Sequence, residues 1–304
     1  MNKIFVGNKI GGIVQEAYTN YLEIPKNCET RLKGVLTDSL AHPGGLTRAC
    51  LTYQILNQTA DTTAALPMAI AVEYFHTASL LLDDLPCMDD AFTRRGQVCP
   101  HRIYGEAACI LGALAFINRG YALIWQAMTD ICETRRKPAL ALLEQCLGVA
   151  GVINGQSLDV HFKEGSQNEA DVADIAEGKT VAMIRLSLVV PGLMLGASDQ
   201  ELDLIEALSS RWGAAYQLLD DLKDVLHDQS SEKTAGRDEL LQRPNMVLCV
   251  GLDGAWQRLD VLLSTTEMLL EELLQMPHHW GFLCDLQRHL SGERARLMGH
   301  ALAA

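Results

Sequence analysis

Cysteine pairs at metal-binding spacing are missing from this chain. Its nine cysteines (Cys28, Cys50, Cys87, Cys99, Cys109, Cys132, Cys146, Cys249, Cys284) are scattered with no Cys-x-x-Cys. That excludes a zinc ribbon or a disulfide framework and fits the reduced thiols of a cytoplasmic protein. Proline is sparse, nine in 304 residues, and apolar/polar alternation is scarce, so helix is expected to dominate. Positive charge is in deficit. Lys and Arg number 25 against 38 Asp and Glu, a net charge of −13. Nucleic acid and anionic membrane surfaces are thereby disfavoured as partners. Long apolar runs are also missing: 107–117 stops at Asn118-Arg119-Gly120, and 181–197 contains Arg185 and Pro191. No membrane span is expected from them, and Asn8 and Lys9 interrupt any signal-peptide core. There is no low-complexity tract and no linker. With 48% apolar residues the chain can bury a large core, and one all-α domain over 1–304 is expected.

What is present centres on residues 79–96, SLLLDDLPCMDDAFTRRG, where Asp83, Asp84, Asp89 and Asp90 follow an apolar run and precede Arg94 and Arg95. Carboxylates this dense repel one another and resist burial unless a cation joins them. Oxygen ligands alone select a hard ion such as Mg²⁺, usually shared with substrate phosphates. The two guanidiniums suit phosphate oxygens. The idea recurs at 217–224, QLLDDLKD. Two solvated helix ends would be the bland reading of one such run. Two runs, each continuing from apolar sequence, read better as two walls of one metal–diphosphate cavity.

Along the chain, 10–41 reads as one or two amphipathic helices closing at His42-Pro43-Gly44-Gly45, followed by helix over 46–56 and a loop at 57–63. Pro67 suits the first turn of a helix running to about Asp84, apolar nearly all round and therefore central. Glu73, His76 and Asp83 share one stripe of it. Further helices are expected at 105–127 and 139–161, with a turn at 133–138 between them, and another around Gly178-Lys179-Thr180. In 201–228, Ile205, Leu208, Trp212, Ala215, Leu219, Leu222 and Leu226 step by three and four, a buried stripe. A second stripe reads Gly213, Gln217, Asp220, Asp224 and Asp228. Polar 228–245, with Lys233 and Arg237, reads as a cationic lid, and 246–304 as two or three helices turning near Pro277. Metal-neutralised diphosphate loss inside an apolar shell would leave a carbocation shielded from water.

DDLPCMDDAFTRRG and QLLDDLKD resemble the two aspartate-rich motifs of the trans-prenyl diphosphate synthases, most of all the bacterial geranylgeranyl diphosphate synthases. Similarity continues through YGEAACIL (104–111), GQSLD (155–159), GKT (178–180), KTAGRD (233–238) and RPNMVLCVGL (243–252). The resemblance implies an isoprenoid-synthase helical bundle around a central cavity. It also implies up to three Mg²⁺ ions and a homodimer, with a heteromer as an alternative. By position, Asp83, Asp89 and Asp220 would bind metal, with Asp84, Asp221 and Asp224 in support. Arg94, Lys179 and Lys233 would hold the allylic diphosphate. Thr180 and Gln217 would face the developing cation, and His76 and Arg95 the diphosphate of isopentenyl diphosphate. Arg237 stands where the family often has Lys. Ala78 and Ser79, small residues before the first aspartate, imply a pocket deep enough for twenty carbons, hence geranylgeranyl diphosphate made from farnesyl diphosphate.

Two departures concern the second substrate. After Gly44-Gly45 the family places Lys and, three residues on, Arg; here those positions are Leu46 and Ala49. Arg48 lies one residue short. Weakened isopentenyl diphosphate binding, as in an accessory or inactive subunit, is the first alternative reading. A terpene-cyclase-like ionising enzyme is the second, although DDLKD has the synthase form of the motif.

Overall fold

The computed structural model describes residues 4, 8–59, 61–162, 168–226 and 243–303, with side chains to Ala301. The expected lid residues Lys233 and Arg237 lie outside them. The fold is all-α, and the described residues fall into two compact units that meet in sequence at Cys132 and Glu133.

In the first unit, α1 (Lys9–Asn20) is capped by Asn8, whose side chain accepts from the Gly11 N–H at 2.8 Å. The Glu29 carboxylate does the same for α2 (Thr30–Ala41), accepting from Arg31 and Leu32. After the Pro43-Gly44 turn come α3 (Thr47–Leu56) and α4 (Ala65–Asp83). Helix α4 is the unit's core. Met68, Ala69, Ile70, Ala71, Val72 and Tyr74 are all fully buried, because α3 and α6 (Glu106–Met128) cover its sides. Small residues let α6 approach: Gly112 faces Val35 and Leu81, and Gly120 lies on the Phe75 ring. Tyr74 stands edge-on to Tyr18 and Phe116, and its hydroxyl donates to the Tyr18 carbonyl at 2.8 Å. These contacts fix α1, α4 and α6 together. A short hairpin, β1 (Thr93–Arg94) and β2 (Gln97–Val98), and a one-turn helix α5 (Pro100–Tyr104) precede α6. Sequence periodicity missed both, being too short to register.

The second unit contains α7 (Glu133–Leu147), α8 (Val152–Val160), α9 (Glu169–Ala176), a π-helical turn (Glu177–Val181), α10 (Ala182–Leu195), α11 (Asp199–Val225), α12 (Met246–Leu273) and α13 (Leu283–Ala303). Helix α11 runs along α12 and packs on α10. Its predicted stripe is buried from Ile205 to Leu222, while Leu226 marks its end. Trp212 donates to Gln287 at 2.7 Å, and Gln287 also bonds Thr266 and the Leu263 carbonyl. One amide thus ties α11, α12 and α13.

Three expectations are corrected. The turn at 133–138 is instead the start of α7, with Pro138 inside the helix; a proline in the second turn forgoes a single backbone hydrogen bond. The break falls later, at Gly148 to Gly151. A Cβ at Gly151 would lie 2.2 Å from the Cys146 carbonyl oxygen, so the chain doubles back where only glycine fits. Third, Asn118-Arg119-Gly120 does not end a helix. Arg119 donates to the Tyr21 carbonyl at 2.5 Å and α6 continues to Met128. Four helical stretches, Ala65–Asp83, Glu106–Met128, Glu133–Val160 and Glu169–Leu195, are therefore long and apolar enough to cross a membrane by length and composition. In the first and last the apolar window is 67% and 78% buried within the protein, which accounts for their character as core packing.

Candidate active site

The first acidic motif is shaped by where α4 stops. Pro86 cannot continue the helix, and the chain wraps back on its last turn. The Asp89 N–H donates to the Asp83 carbonyl at 2.9 Å, Asp90 to Leu85 at 3.0 Å, and Ala91 to Asp84 at 3.2 Å. Asp90 takes a left-handed conformation, φ 44°. This wrap brings Asp83, Asp84 and Asp89 close in space, each buried (8%, 2% and 6% exposed). Three buried carboxylates need compensation, and Arg94 supplies part of it. Its Nε lies 2.8 and 2.9 Å from the two Asp84 oxygens and its Nη2 2.7 Å from Oδ1. Burial opposes the Arg94 charge, but Asp84, then Asp83 and Asp89, outweigh it and push its pKa up. The hairpin aims this guanidinium. Arg95 and Gly96, with φ of 55° and 76°, make the primed two-residue turn whose twist matches the strands. Exposed Phe92, unexplained by sequence, lies under the Arg102 guanidinium at 4.9 Å, and Arg102 pairs with Asp90 at 2.8 Å.

Nearby, His76 on α4 meets Arg48 on α3, Nε2 to Nη1 3.3 Å. Glu73, one turn earlier, accepts from the Ala49 N–H at 3.3 Å. Burial raises the Glu73 pKa, against the pull of Arg48 and Arg95. Burial and then the Arg48 and Arg95 charges hold His76 well below its usual value, so the imidazole is neutral near pH 7. Ala78 is buried, and the Ser79 hydroxyl folds back onto the His76 carbonyl at 2.8 Å.

In the second unit the π turn carries Lys179 and Thr180. Such bulges push side chains out of the regular helical stagger and are frequent at functional sites. Gly178 sits on Gly155 of α8; a Cβ at Gly155 would be 2.6 Å from the Lys179 nitrogen. This contact brings Lys179 Nζ to within 2.8 Å of Asp159, whose carbonyl accepts from Arg243 at 2.8 Å. Thr180 donates to Gln217 Oε1 at 2.7 Å, and Gln217 Nε2 donates to Asp221 at 2.9 Å. The other Asp221 oxygen accepts from the Met246 N–H at 2.7 Å. Asp221, 1% exposed, is thus a positioning group between Gln217 and the start of α12. Asp220 is more open, with its side chain 44% exposed, and lies 3.5 Å from Lys223, which also reaches Glu293 at 3.3 Å. Burial opposes the Lys223 charge but the two carboxylates raise its pKa.

Sequence reading missed Asp159, Arg243 and the Lys223–Glu293 bridge as partners. Only the Asp220–Lys223 spacing of three was legible in advance. Among the described residues, no three His, Cys, Asp or Glu side chains cluster tightly enough to hold a metal ion by themselves.

Buried carboxylates facing guanidiniums, with a lysine and a threonine on a π turn, define a helical enzyme that handles an anionic ester. Comparison with known proteins makes the class specific. The polyprenyl synthetase family model matches residues 29–273. The chain is 27% identical to the farnesyl diphosphate synthase of Bacillus subtilis over 88% of its own length and 90% of that protein's. It is 33% identical to the geranylgeranyl diphosphate synthase of Cereibacter sphaeroides over 80% and 81%. Alignments with further curated relatives cover 51% to 64% of those proteins. The fold matches that of geranyltransferase from Helicobacter pylori, crystallised with magnesium and isoprenyl diphosphate, at a TM-score of 0.78, 24% identity and 95% coverage of both chains. The chain belongs to the polyprenyl synthetase family. It is by class a trans-prenyltransferase that makes prenyl diphosphates.

Proposed function

We propose that this protein condenses isopentenyl diphosphate with farnesyl diphosphate to give geranylgeranyl diphosphate, using Mg²⁺. The observation that carries the reading is the trio Asp83, Asp84 and Asp89, buried at the end of the most apolar helix beside Arg94. The donor set fits magnesium: it is all oxygen, and Arg94 is committed to Asp84, which leaves Asp83 and Asp89 for the ion. The want of a three-ligand protein cage agrees with this, since Mg²⁺ keeps water and takes substrate phosphates as ligands. Asp83 and Asp89, and from the second motif Asp220 with Asp224, would hold it. When bound, magnesium supplies the positive charge that turns a diphosphate into a leaving group. Lys179, on its tether to Asp159, adds a further cation for the departing oxygens. The Thr180 hydroxyl and Gln217 carbonyl lie 2.7 Å apart, and Asp221 holds the amide so that its oxygen turns toward Thr180. Those oxygens stabilise allylic positive charge as it develops. Farnesyl as starter is supported by the buried Ala78 and the inward-folded Ser79, neither of which projects bulk.

Incubation of the protein with Mg²⁺, farnesyl diphosphate and labelled isopentenyl diphosphate should give a twenty-carbon diphosphate. Ala78→Phe should shift the product mixture toward fifteen carbons when geranyl diphosphate is the starter. Allylic alcohol or hydrocarbon formed without the labelled substrate would overturn the reading, and so would ligand binding without turnover.

We propose also that the protein is a homodimer through α6. Ile110, Leu114, Tyr121 and Trp125, spaced four, seven and four, are 42%, 54%, 49% and 82% exposed, with Leu111 beside them. A stripe this apolar on one helix face needs a cover, and the net charge of −13 favours a second copy over an anionic lipid surface. Leu114→Glu with Trp125→Glu should convert a dimer of about 67 kDa (twice 33.3 kDa) into a monomer in sedimentation velocity. A double variant that sediments like the parent would reject this interface.

A further inference from the structure

The start of α3 holds more positive charge than its partners neutralise. Leu46, at the N-cap, adopts a left-handed conformation (φ 49°) and no side chain caps the helix. Just before it, Gly44 (φ 75°) lies directly against the Arg95 guanidinium; a Cβ there would be 2.3 Å from Arg95 Cζ. Arg48 enters from the first turn of α3. It is 9% exposed, touches His76 through Nη1 at 3.3 Å, and its Nε is buried with no hydrogen-bond partner. Two guanidiniums therefore converge on one carboxylate, Glu73, 2% exposed, one oxygen of which already accepts from the Ala49 N–H. His76 stays neutral and can add a hydrogen bond but no charge.

A buried guanidinium with an unmet N–H donor is costly to keep without an acceptor. An uncapped helix start beside it adds backbone N–H groups and the positive end of the helix dipole. The missing group is therefore an anion with several oxygens. Leu46 and Ala49, where the related synthases place cations, are buried (5% and 0% exposed) and contribute none. We propose that Arg48 is the anchor this chain uses for the diphosphate of its five-carbon substrate, with Arg95, His76 and the start of α3 completing the site. This rests on the prenyltransferase reading for the identity of the ligand, while the anion chemistry stands without it. An inorganic pyrophosphate would satisfy the same donors, so the test must separate the two.

Calorimetric titration of the whole chain with isopentenyl diphosphate, and separately with inorganic pyrophosphate, needs no turnover. Arg48→Met should weaken both about 10- to 100-fold, the range expected for one charged hydrogen bond or a forked pair. Tighter binding of isopentenyl diphosphate than of pyrophosphate to the parent chain would assign the site to the substrate; the reverse order would overturn that assignment. Affinity within twofold of the parent's in Arg48→Met would overturn the proposal outright. Should that variant lose its helical circular dichroism, Arg48→Lys decides, since it keeps the charge and removes the planar fork. A loss of about 3- to 10-fold is expected of it, and none would overturn the role. In steady-state assays KM for isopentenyl diphosphate should rise while KM for the allylic diphosphate stays within twofold. Equal rises would mean a structural effect and reject the assignment. If the parent forms no product yet binds isopentenyl diphosphate in an Arg48-dependent way, the reaction proposed above falls and this site stands.

Discussion

Replacing Asp83 and Asp89 together with alanine should lower kcat by at least about 10³-fold and leave the melting temperature within about 3 °C of the parent's. The first half follows from electrostatics. Stabilising charge that develops on a leaving group in a water-poor site is worth about 3–4 kcal/mol per well-placed interaction. These two carboxylates are the ones at the α4 end that Arg94 does not claim. The second half follows from the same geometry. Arg94 would keep its two-oxygen contact with Asp84 at 2.8 and 2.9 Å, so no buried charge is orphaned. Moving the substitution to position 84 should reverse the pattern. Asp84→Ala strands a guanidinium whose side chain is only 11% exposed, and breaking one side of a buried pair costs about 3–5 kcal/mol. A 304-residue chain would then melt some 6–15 °C lower, and activity would be lost through unfolding. The measurements are thermal denaturation beside a radiolabel elongation assay across a Mg²⁺ titration. A double variant keeping more than a tenth of parental kcat, or an Asp84→Ala protein as stable as the parent, would refute this division of labour between neighbouring aspartates.

That division was not legible in the sequence. Four aspartates in eight residues announce a cation, but their separate tasks depend on how the chain wraps after Asp83. Pro86 said that the helix would stop; it could not say that Arg94, ten residues on, would return to Asp84 by way of a two-residue turn. The long elements were legible, because α4 and α11 carry unbroken apolar patterning whose burial leaves little choice of face. Gly151 shows where such patterning fails. A break between two helices is set by one close backbone approach, while the neighbouring sequence keeps its helical rhythm. Long-range partners failed for a related reason. Asp159 and Lys179 are twenty residues apart, and only the glycine-on-glycine contact of α8 with the π turn brings them together. Arg48 is the instructive middle case. Its offset from the expected positions was visible, and its inward orientation was not, since that depends on the left-handed turn at Leu46.

Glu201→Ala should be the most destabilising single change in the second unit, lowering the melting temperature by about 6–12 °C. The Glu201 carboxylate is 1% exposed and completes the capping box that starts α11. One oxygen accepts from the Ser198 N–H at 2.8 Å and the Ser198 hydroxyl at 2.9 Å. The other accepts from His278 Nδ1 at 2.8 Å, the His278 N–H at 3.3 Å and Trp280 Nε1 at 3.0 Å. Removing it strands several donors at once, at about 1–3 kcal/mol for each one left buried. It also unfastens the segment that joins α12 to α13. Burial raises the pKa of this carboxyl, but the donors together overcome that and bring it down to about 2 from 4.5. The sign is that of a depressed acid. Its stabilisation is complete above pH 4.5 and is lost progressively as pH falls toward 2. Parental melting temperatures should therefore drop across that window more steeply than those of Glu201→Gln, which has no proton to gain there. The exposed Arg288–Asp285 pair, 2.7 Å apart with side chains 74% and 43% exposed, supplies the contrast. Alanine at Asp285 should cost under about 1 kcal/mol, because water already solvates both charges. Equal losses from Glu201→Ala and Asp285→Ala, or parallel pH profiles for the parent and Glu201→Gln, would show that the α11 cap is not what secures this end of the unit.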